Sequence, residues 1–368
     1  MKLLIQPGDG IEPLLAAINA AQSSVEILIF RFDRPEIEAA LVNAVSRGVA
    51  VRALIAYTNR GGERNLRALE LRLLGAGITV ARTADDLVRY HGKMLIVDGR
   101  ELCLMGFNLT HLDMERSRSF AFITDDRDIV QEAAKLFDAD SKRLPYTPGI
   151  DSFVVSPLNA RKVLSEYIKG AQRQLLIYDP AVADPAMIRL LDERSKAGVE
   201  IRLIGRLSRK LAKVEVHKLS MRVHSRMLIR DGESVFLGSQ SLRTSELDAR
   251  REVGIIAREP AIIARLIETF EGDWKEPENG KAIGDSVDAA DNPPPEKVAK
   301  KVAKTVIKAL PPVTPVLEVV VRELTGTQTE VEVNPEELEA AVRNAVKSAI
   351  KDAVAVAVEQ AAKGSREG

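Results

Sequence analysis

The sequence predicts an α/β protein made of two similar halves with largely parallel sheet. Three observations predict it: an internal repeat of β-α-β units, a duplicated polar hairpin phrase, and a composition able to bury a large core. The chain has 368 residues, 45% of them hydrophobic, with 53 basic and 53 acidic side chains, enough for about two domains. Zero net charge and 4% aromatic residues give no global pull toward nucleic acid and few stacking platforms for bases. A local basic pocket stays open. The single cysteine, Cys103, excludes an internal disulfide, reads as a small buried hydrophobe and fits a reducing, cytoplasmic compartment. Pro7, Gly8, Asp9 and Gly10 interrupt the first apolar run before a secretion signal can form. No run of about 18 apolar residues occurs, so no membrane-spanning helix is expected and membrane contact would be peripheral.

Taken in order, residues 21–57 read as a buried strand, a helix and a second strand, and residues 171–206 repeat that pattern, with Gly48 and Gly198 standing 150 positions apart. Such units favour parallel strands joined by a covering helix. The first half then adds a helical segment, ERNLRALELRLLGAG, and a strand, ITVAR, before YHGKMLIVDG at 90–99. The second half lacks that helix and reaches VHSRMLIRDG at 223–232. Both phrases end in Asp-Gly, which suits a tight hairpin turn, and continue into another apolar strand. Prolines and Gly149 mark a linker over 143–157, so the halves are 1–142 and 158–274. A polar, Pro-rich tether is expected over 275–296, followed by a helical extension over 297–368.

In that extension, residues 297–310 place Val298, Val302, Val306 and Leu310 on one helical face with lysines largely elsewhere. Such a helix suits an anionic membrane surface, here the inner face of the membrane, or equally packing on its own protein or on another copy. A last helix starts with Asn334 as N-cap and Pro335 in the first turn, and ends at Gly364. Its stripe of Leu338, Val342, Val346, Ile350 and Val354 favours packing or oligomerisation.

The twinned phrase carries the chemistry. Residues two apart on a strand share a face, so His91 projects with Lys93 and His224 with Arg226. If the halves pack about a pseudo-twofold axis, two imidazoles and two cations meet around one anionic group. One imidazole can then attack phosphorus while the other protonates the leaving oxygen and the cations hold the nonbridging oxygens. The alternative makes each histidine a satisfied interior residue. Against it, two of only four histidines occupy equivalent places in duplicated hairpins, whereas His111 and His217 have no such twin.

HGKMLIVD and HSRMLIRD resemble the paired H-x-K-x4-D motifs of the phospholipase D superfamily, which includes phospholipases, cardiolipin synthases and related phosphatidyltransferases, and nucleases. The resemblance covers residues 1 to about 275. It implies two pseudo-symmetric α-β-α lobes with mixed sheets, one active site between them and a covalent phosphohistidine, without metal or cofactor. Carried over residue by residue, it makes His91 and His224 the nucleophile and general acid, in an order the motifs do not fix; analogy with two-motif relatives favours His91 as nucleophile. Lys93 and Arg226 would grip phosphate, together with Asn108 and, in the second half, Ser239 and Ser241. Asp98 and Asp231 would fix the hairpins. Met105 and Gly106 stand where the family prefers Gly-Ser, Ser241 replaces an Asn, and Arg226 replaces a Lys. The family's carboxylate 28 residues after each histidine would be Glu252, orienting His224, with Ser119 a weaker counterpart for His91. His224 is therefore expected to protonate more readily. The expected substrate is a phospholipid head-group diester, with water or an alcohol as acceptor. A nuclease acting on nucleic acid is less favoured, and a degenerate phosphate-binding scaffold is the third alternative.

Overall fold

The computed structural model describes residues 1–57 and 63–277. The first lobe runs β1 (Lys2–Gln6), α1 (Glu12–Ala20), β2 (Ser24–Ile29), α2 (Pro35–Ser46), β3 (Ala50–Ile55), α3 (Glu63–Gly75), β4 (Thr79–Arg82), β5 (Arg89–Tyr90), β6 (Met94–Val97), β7 (Glu101–Met105), α4 (His111–Glu115), β8 (Ser117–Thr124) and α5 (Arg127–Lys142). The second runs β9 (Phe153–Val155), α6 (Ala160–Lys169), β10 (Gln174–Val182), α7 (Pro185–Lys196), β11 (Glu200–Leu207), β12 (Val214–His217), β13 (Arg222–Val223), β14 (Arg226–Arg230), β15 (Ser234–Gly238), α8 (Thr244–Asp248), β16 (Arg250–Arg251), β17 (Val253–Ala257) and α9 (Pro260–Lys275).

Local chemistry explains the repeated boundaries. Strands β2 and β10 are apolar runs buried on both faces, as central strands require. The helix after each begins with proline, Pro35 or Pro185, where a missing N–H costs nothing. Asp184 also caps α7, accepting from the amides of Ala186 and Met187 at 3.0 Å. Both hairpins turn through Asp-Gly pairs with left-handed φ, 53° and 60° at Asp98 and Gly99, 57° and 70° at Asp231 and Gly232. Such turns match the twist of the flanking strands.

Both sheets are mixed. The first has the order β1-β8-β7-β6-β2-β3-β4 and the second β12-β11-β10-β14-β15-β17-β9. Along these two orders β2-β3-β4 and β10-β11-β12 are parallel, and the hairpin strands add antiparallel halves. The expectation of a largely parallel sheet holds for the β-α-β units alone. Strand β9 lies inside the stretch read as linker, pairing with β17 at the edge of the second sheet. Its three residues, Phe153, Val154 and Val155, are too few to outweigh the flanking prolines as a sequence signal.

Each lobe has an outer core of its own. A third cluster crosses between them, joining Phe120, Phe122 and Leu136 to Tyr178, Met227, Leu237 and Phe270. Each such side chain gains about 1.5–3 kcal/mol on burial. The lobes are therefore one body rather than two beads on a linker. No helix among the described residues is long and apolar enough to cross a membrane. The expected helices over 297–310 and after Asn334 lie outside the described residues, as does the tether beyond Pro277.

Candidate active site

The motif residues do not sit on one continuous strand. His91, Gly92 and Lys93 occupy the break between β5 and β6, and His224 and Ser225 the break between β13 and β14. Through that break each motif leaves its own sheet and pairs with the other lobe. Strand β5 runs parallel to β16, with Tyr90 opposite Arg251, and β13 parallel to β8, with Val223 opposite Arg118. The amides of His91 and Gly92 donate to the Arg251 carbonyl at 2.7 and 3.1 Å, and that of His224 to the Arg118 carbonyl at 3.1 Å. Gly92 is needed at this crossing, because a Cβ there would stand 2.9 Å from Val253 Cγ2 of the second lobe.

The four motif side chains are almost wholly buried: His91 and Lys93 are 3% exposed, His224 and Arg226 2%. Lys93 Nζ donates to His91 Nε2 at 2.9 Å and to the His91 carbonyl at 2.6 Å. In the same way Arg226 Nη1 donates to the His224 carbonyl at 2.9 Å, and Arg226 Nε to Ser241 Oγ at 3.2 Å. Phe30 packs edge-on against the His91 ring, centroids 4.5 Å apart. A chain of buried ion pairs links the two motifs: Glu252, which holds His91, lies 4.0 Å from Arg250, Arg250 lies 3.2 Å from Glu246, and Glu246 lies 3.7 Å from Arg226.

Glu252 departs from expectation. It serves His91, not His224: His91 Nδ1 donates to Glu252 Oε2 at 2.8 Å across the lobe interface. Glu252 directly follows β16, the strand that crosses to the first lobe's motif, so a fixed spacing within one half points to the wrong histidine. Ser119 is no orienter of His91 either; its hydroxyl donates to the Asp113 carbonyl at 3.0 Å. His224 is instead approached by Arg222, whose Nη2 donates to Nδ1 at 2.9 Å, and by Asp113, whose Oδ2 lies 3.2 Å from Nε2. That second approach is close enough for attraction but lacks hydrogen-bond alignment, and His224 Nε2 has no hydrogen-bond partner among the described residues.

Two carboxylates that the motifs do not name complete the site. Asp113 Oδ2 accepts from the backbone and side-chain amides of Asn108 at 2.8 and 2.7 Å, while Oδ1 accepts from Arg222 at 2.7 Å. Glu246 does the corresponding work in the second lobe, accepting from the Ser241 amide at 2.7 Å and from Arg250 at 3.2 Å. Both stand five positions after the residue they hold, and Arg89 and Arg222 both stand two before their histidine. Comparing the repeats further would have found all four. Ser239 accepts from the Val253 amide at 3.1 Å, beside Glu252. Asp98 and Asp231 lie away from the histidines at the far ends of the hairpins. Asp98 gathers the amides of Gln22, Ser23 and Ser24, and Asp231 those of Gln172, Arg173 and Gln174.

Charge balance follows burial. Desolvation, then Lys93, Arg226 and Arg250, holds the His91 imidazole well below its ordinary value. Desolvation, then Arg222, Arg226 and Lys93, does the same to His224. Both imidazoles are thus pushed in the same direction, away from the charged form. Burial, reinforced by Glu246, pushes Glu252 up to about 7. Burial also works on Glu246, but Arg226, Arg250 and Arg243 outweigh it and keep that carboxyl below the usual range. Because arginine only donates, His224 Nδ1 carries a lone pair and Nε2 the proton. His91 has the opposite tautomer, Nδ1–H toward Glu252 and a lone pair on Nε2. His111 is on the surface with Glu115, and His217 packs near Trp274.

Two lobes that exchange strands around paired histidines define a phospholipase D-like protein. A family model described as cardiolipin synthase, PLD-like domain, matches residues 14–141 and 164–274, and the chain belongs to this family. It is similar to polyphosphate kinase 1 of Chlorobaculum tepidum, 25% identical over 298 residues, covering 72% of this chain and 42% of the relative. It is also similar to mitochondrial cardiolipin hydrolase of Danio rerio, 31% identical over 130 residues, covering 34% of this chain and 56% of the relative. The chain thus spans about half the length of these relatives. The crystal structure of polyphosphate kinase from Porphyromonas gingivalis matches with a TM-score of 0.63 at 21% identity, over 75% of this chain and 50% of that one. Phosphatidylserine synthase of Haemophilus influenzae matches with a TM-score of 0.55 at 9% identity, over 74% and 85%. These two likenesses concern the fold.

Proposed function

We propose that the chain is a metal-independent phosphodiesterase or phosphatidyltransferase of the phospholipase D type, acting on phospholipid head-group diesters through a phosphohistidine on His91. The observation that carries this reading is the His91 tautomer. Glu252 holds the proton on Nδ1, so the Nε2 lone pair faces the cation-lined site. Lys93, turned from Nε2 onto a nonbridging oxygen, frees that lone pair to attack phosphorus. As the P–N bond forms, the P–O bond to the head-group alcohol breaks, and the leaving oxygen takes a proton from His224 Nε2.

That transfer requires His224 as imidazolium. The bound diester's negative charge offsets the surrounding arginines, and protonation at Nδ1 displaces only Arg222 Nη2, because Nη1 stays on Asp113 and on Ser117 Oγ at 3.0 Å. Water or an alcohol then attacks phosphorus, returns its proton to His224 and releases His91. Asn108 and Ser241 would line the phosphate site beside Lys93 and Arg226.

One observation favours a second reading. With Arg222 on Nδ1, His224 is a neutral hydrogen-bond donor, which suits a leaving group that departs without a proton. The phosphate of a phosphoanhydride is such a group, and the similarity to polyphosphate kinase 1 runs over 72% of the chain. Both readings predict phosphate on His91.

The test incubates the full chain in EDTA with labelled phosphatidylglycerol or phosphatidylcholine vesicles, with and without a primary alcohol. Inorganic polyphosphate with a nucleoside diphosphate, and single-stranded DNA, run in parallel. Lipid products that vanish in His91→Asn support the first reading. Turnover of polyphosphate alone moves the assignment to the second. Cleaved DNA with untouched lipid, trapped phosphate on His224, or no turnover at all overturns the proposal.

A further inference from the structure

Two arginine–aspartate pairs outside the motifs recur at equivalent positions and cross between the lobes in opposite directions. Arg118 and Arg251 each stand 27 residues after their own half's motif histidine, and Asp140 and Asp273 each stand 22 residues further on. Arg118 belongs to the first lobe, yet its Nε and Nη2 donate to Asp273 of α9 at 2.7 and 2.8 Å. Arg251 belongs to the second lobe and pairs with Asp140 of α5 at 3.1 Å. The third contact repeats as well. Arg118 Nη1 donates to the Gln6 carbonyl at 3.1 Å and Arg251 Nη1 to the Ser156 carbonyl at 3.3 Å, again 150 positions apart.

The same two residues carry the carbonyls that hold the motif histidines. Arg118 O accepts from the His224 amide and, at 2.7 Å, from Ser225 Oγ. Arg251 O accepts from the amides of His91 and Gly92. A side chain anchored in one lobe therefore fixes its own main-chain carbonyl, and that carbonyl fixes the histidine backbone. Both aspartates are buried, at 3% exposure each, so neither partner can be removed without leaving the other uncompensated.

We propose that Asp273–Arg118 and Asp140–Arg251 are two positioning latches, each setting the placement of one motif histidine: the Asp273 latch that of His224, the Asp140 latch that of His91. They are not identical. Asp273 binds Arg118 through two hydrogen bonds and accepts a third from Tyr178 at 2.5 Å, whereas Asp140 meets Arg251 as an ion pair at 3.1 Å. The His224 latch is the stiffer. This inference rests on the phosphohistidine reading for its kinetic consequence but not for its geometry.

The test uses the full chain labelled with 13Cε1-histidine, in which four resonances are expected. Asp273→Asn should move the His224 resonance and leave His91 in place; Asp140→Asn should do the reverse. With bis(p-nitrophenyl) phosphate as probe, each should lower kcat about tenfold with KM nearly unchanged, since small misplacements of reacting groups act on turnover. Where Asp273→Asn fails to fold, Tyr178→Phe removes one bond from the same carboxylate and should move the His224 resonance in the same selective way. Where Asp140→Asn fails, Arg251→Lys serves for His91. Resonances that stay put while thermal stability falls would overturn the latches, as would both histidines responding alike to either variant. A wild-type chain that leaves the diester intact would count against the enzymatic reading, while the resonances still decide on the latches.

Discussion

At the scale of single residues, the site is governed by which carboxylate meets which imidazole. Glu252 reaches His91 across the interface, and burial lifts its carboxyl to about 7. The ionised form is the one that holds Nδ1–H and supports an imidazolium-like phosphohistidine. Formation of that intermediate should therefore fall as pH drops through about 7, and Glu252→Gln should erase this acid limb and lower the rate about 10²-fold at pH 8. Stability should run the other way. A carboxyl raised in the folded state leaves stability intact below its unfolded value and costs it as pH rises through its folded one. Glu252→Gln should therefore raise the melting temperature at pH 8, with the gain gone by about pH 4, where the wild-type carboxyl is protonated in both states. Calorimetry across that range checks the sign. Such a cost suits a residue kept for chemistry rather than for packing.

At the scale of elements, the motif hairpins separate a reactive end from an anchoring end. Lys93 and Arg226 face the histidines, while Asp98 and Asp231 fasten the turns to the first residues of β2 and β10. Burial alone would raise Asp98, but the amides of Ser24, Gln22 and Ser23 bring it down to about 2. Its stabilising contribution is present above the unfolded carboxylate value of about 4 and is lost as pH falls through about 2. Asp98→Ala should lower unfolding free energy by about 1–3 kcal/mol in urea titrations at pH 7, and Asp231→Ala similarly. Catalysis per folded molecule should persist at low temperature. Loss of activity in fully folded Asp98→Ala would mean that this residue acts in the site rather than at the turn.

At the scale of the whole molecule, the lobes share a core, and the site exists only in their union. Phe270 is fully buried at this junction, with its centroid 5.2 Å from that of Tyr178 and 5.6 Å from that of Trp274. Phe270→Ala should cost about 3–5 kcal/mol. Because the cluster contains residues of both lobes, unfolding of the two lobes should remain one transition with an earlier midpoint. Two resolved transitions in scanning calorimetry would show that the lobes fold independently.

The sequence by itself determined the halves, the β-α-β units, the Asp-Gly turns and the paired motif positions. Each of these is written in local periodicity or in a repeat within reach of direct comparison. Gly48 with Gly198 and His91 with His224 are visible without any fold. Tertiary structure decided which groups from opposite halves meet. Strand exchange gives Glu252 to His91 and Arg118 to His224, although each lies nearer in sequence to the other histidine. It also brings Asp113 of the first half onto Arg222 and His224 of the second. A repeat records what each half contains; only the packed pair of lobes, closed by buried apolar surface and two crossed strands, determines which half serves which histidine.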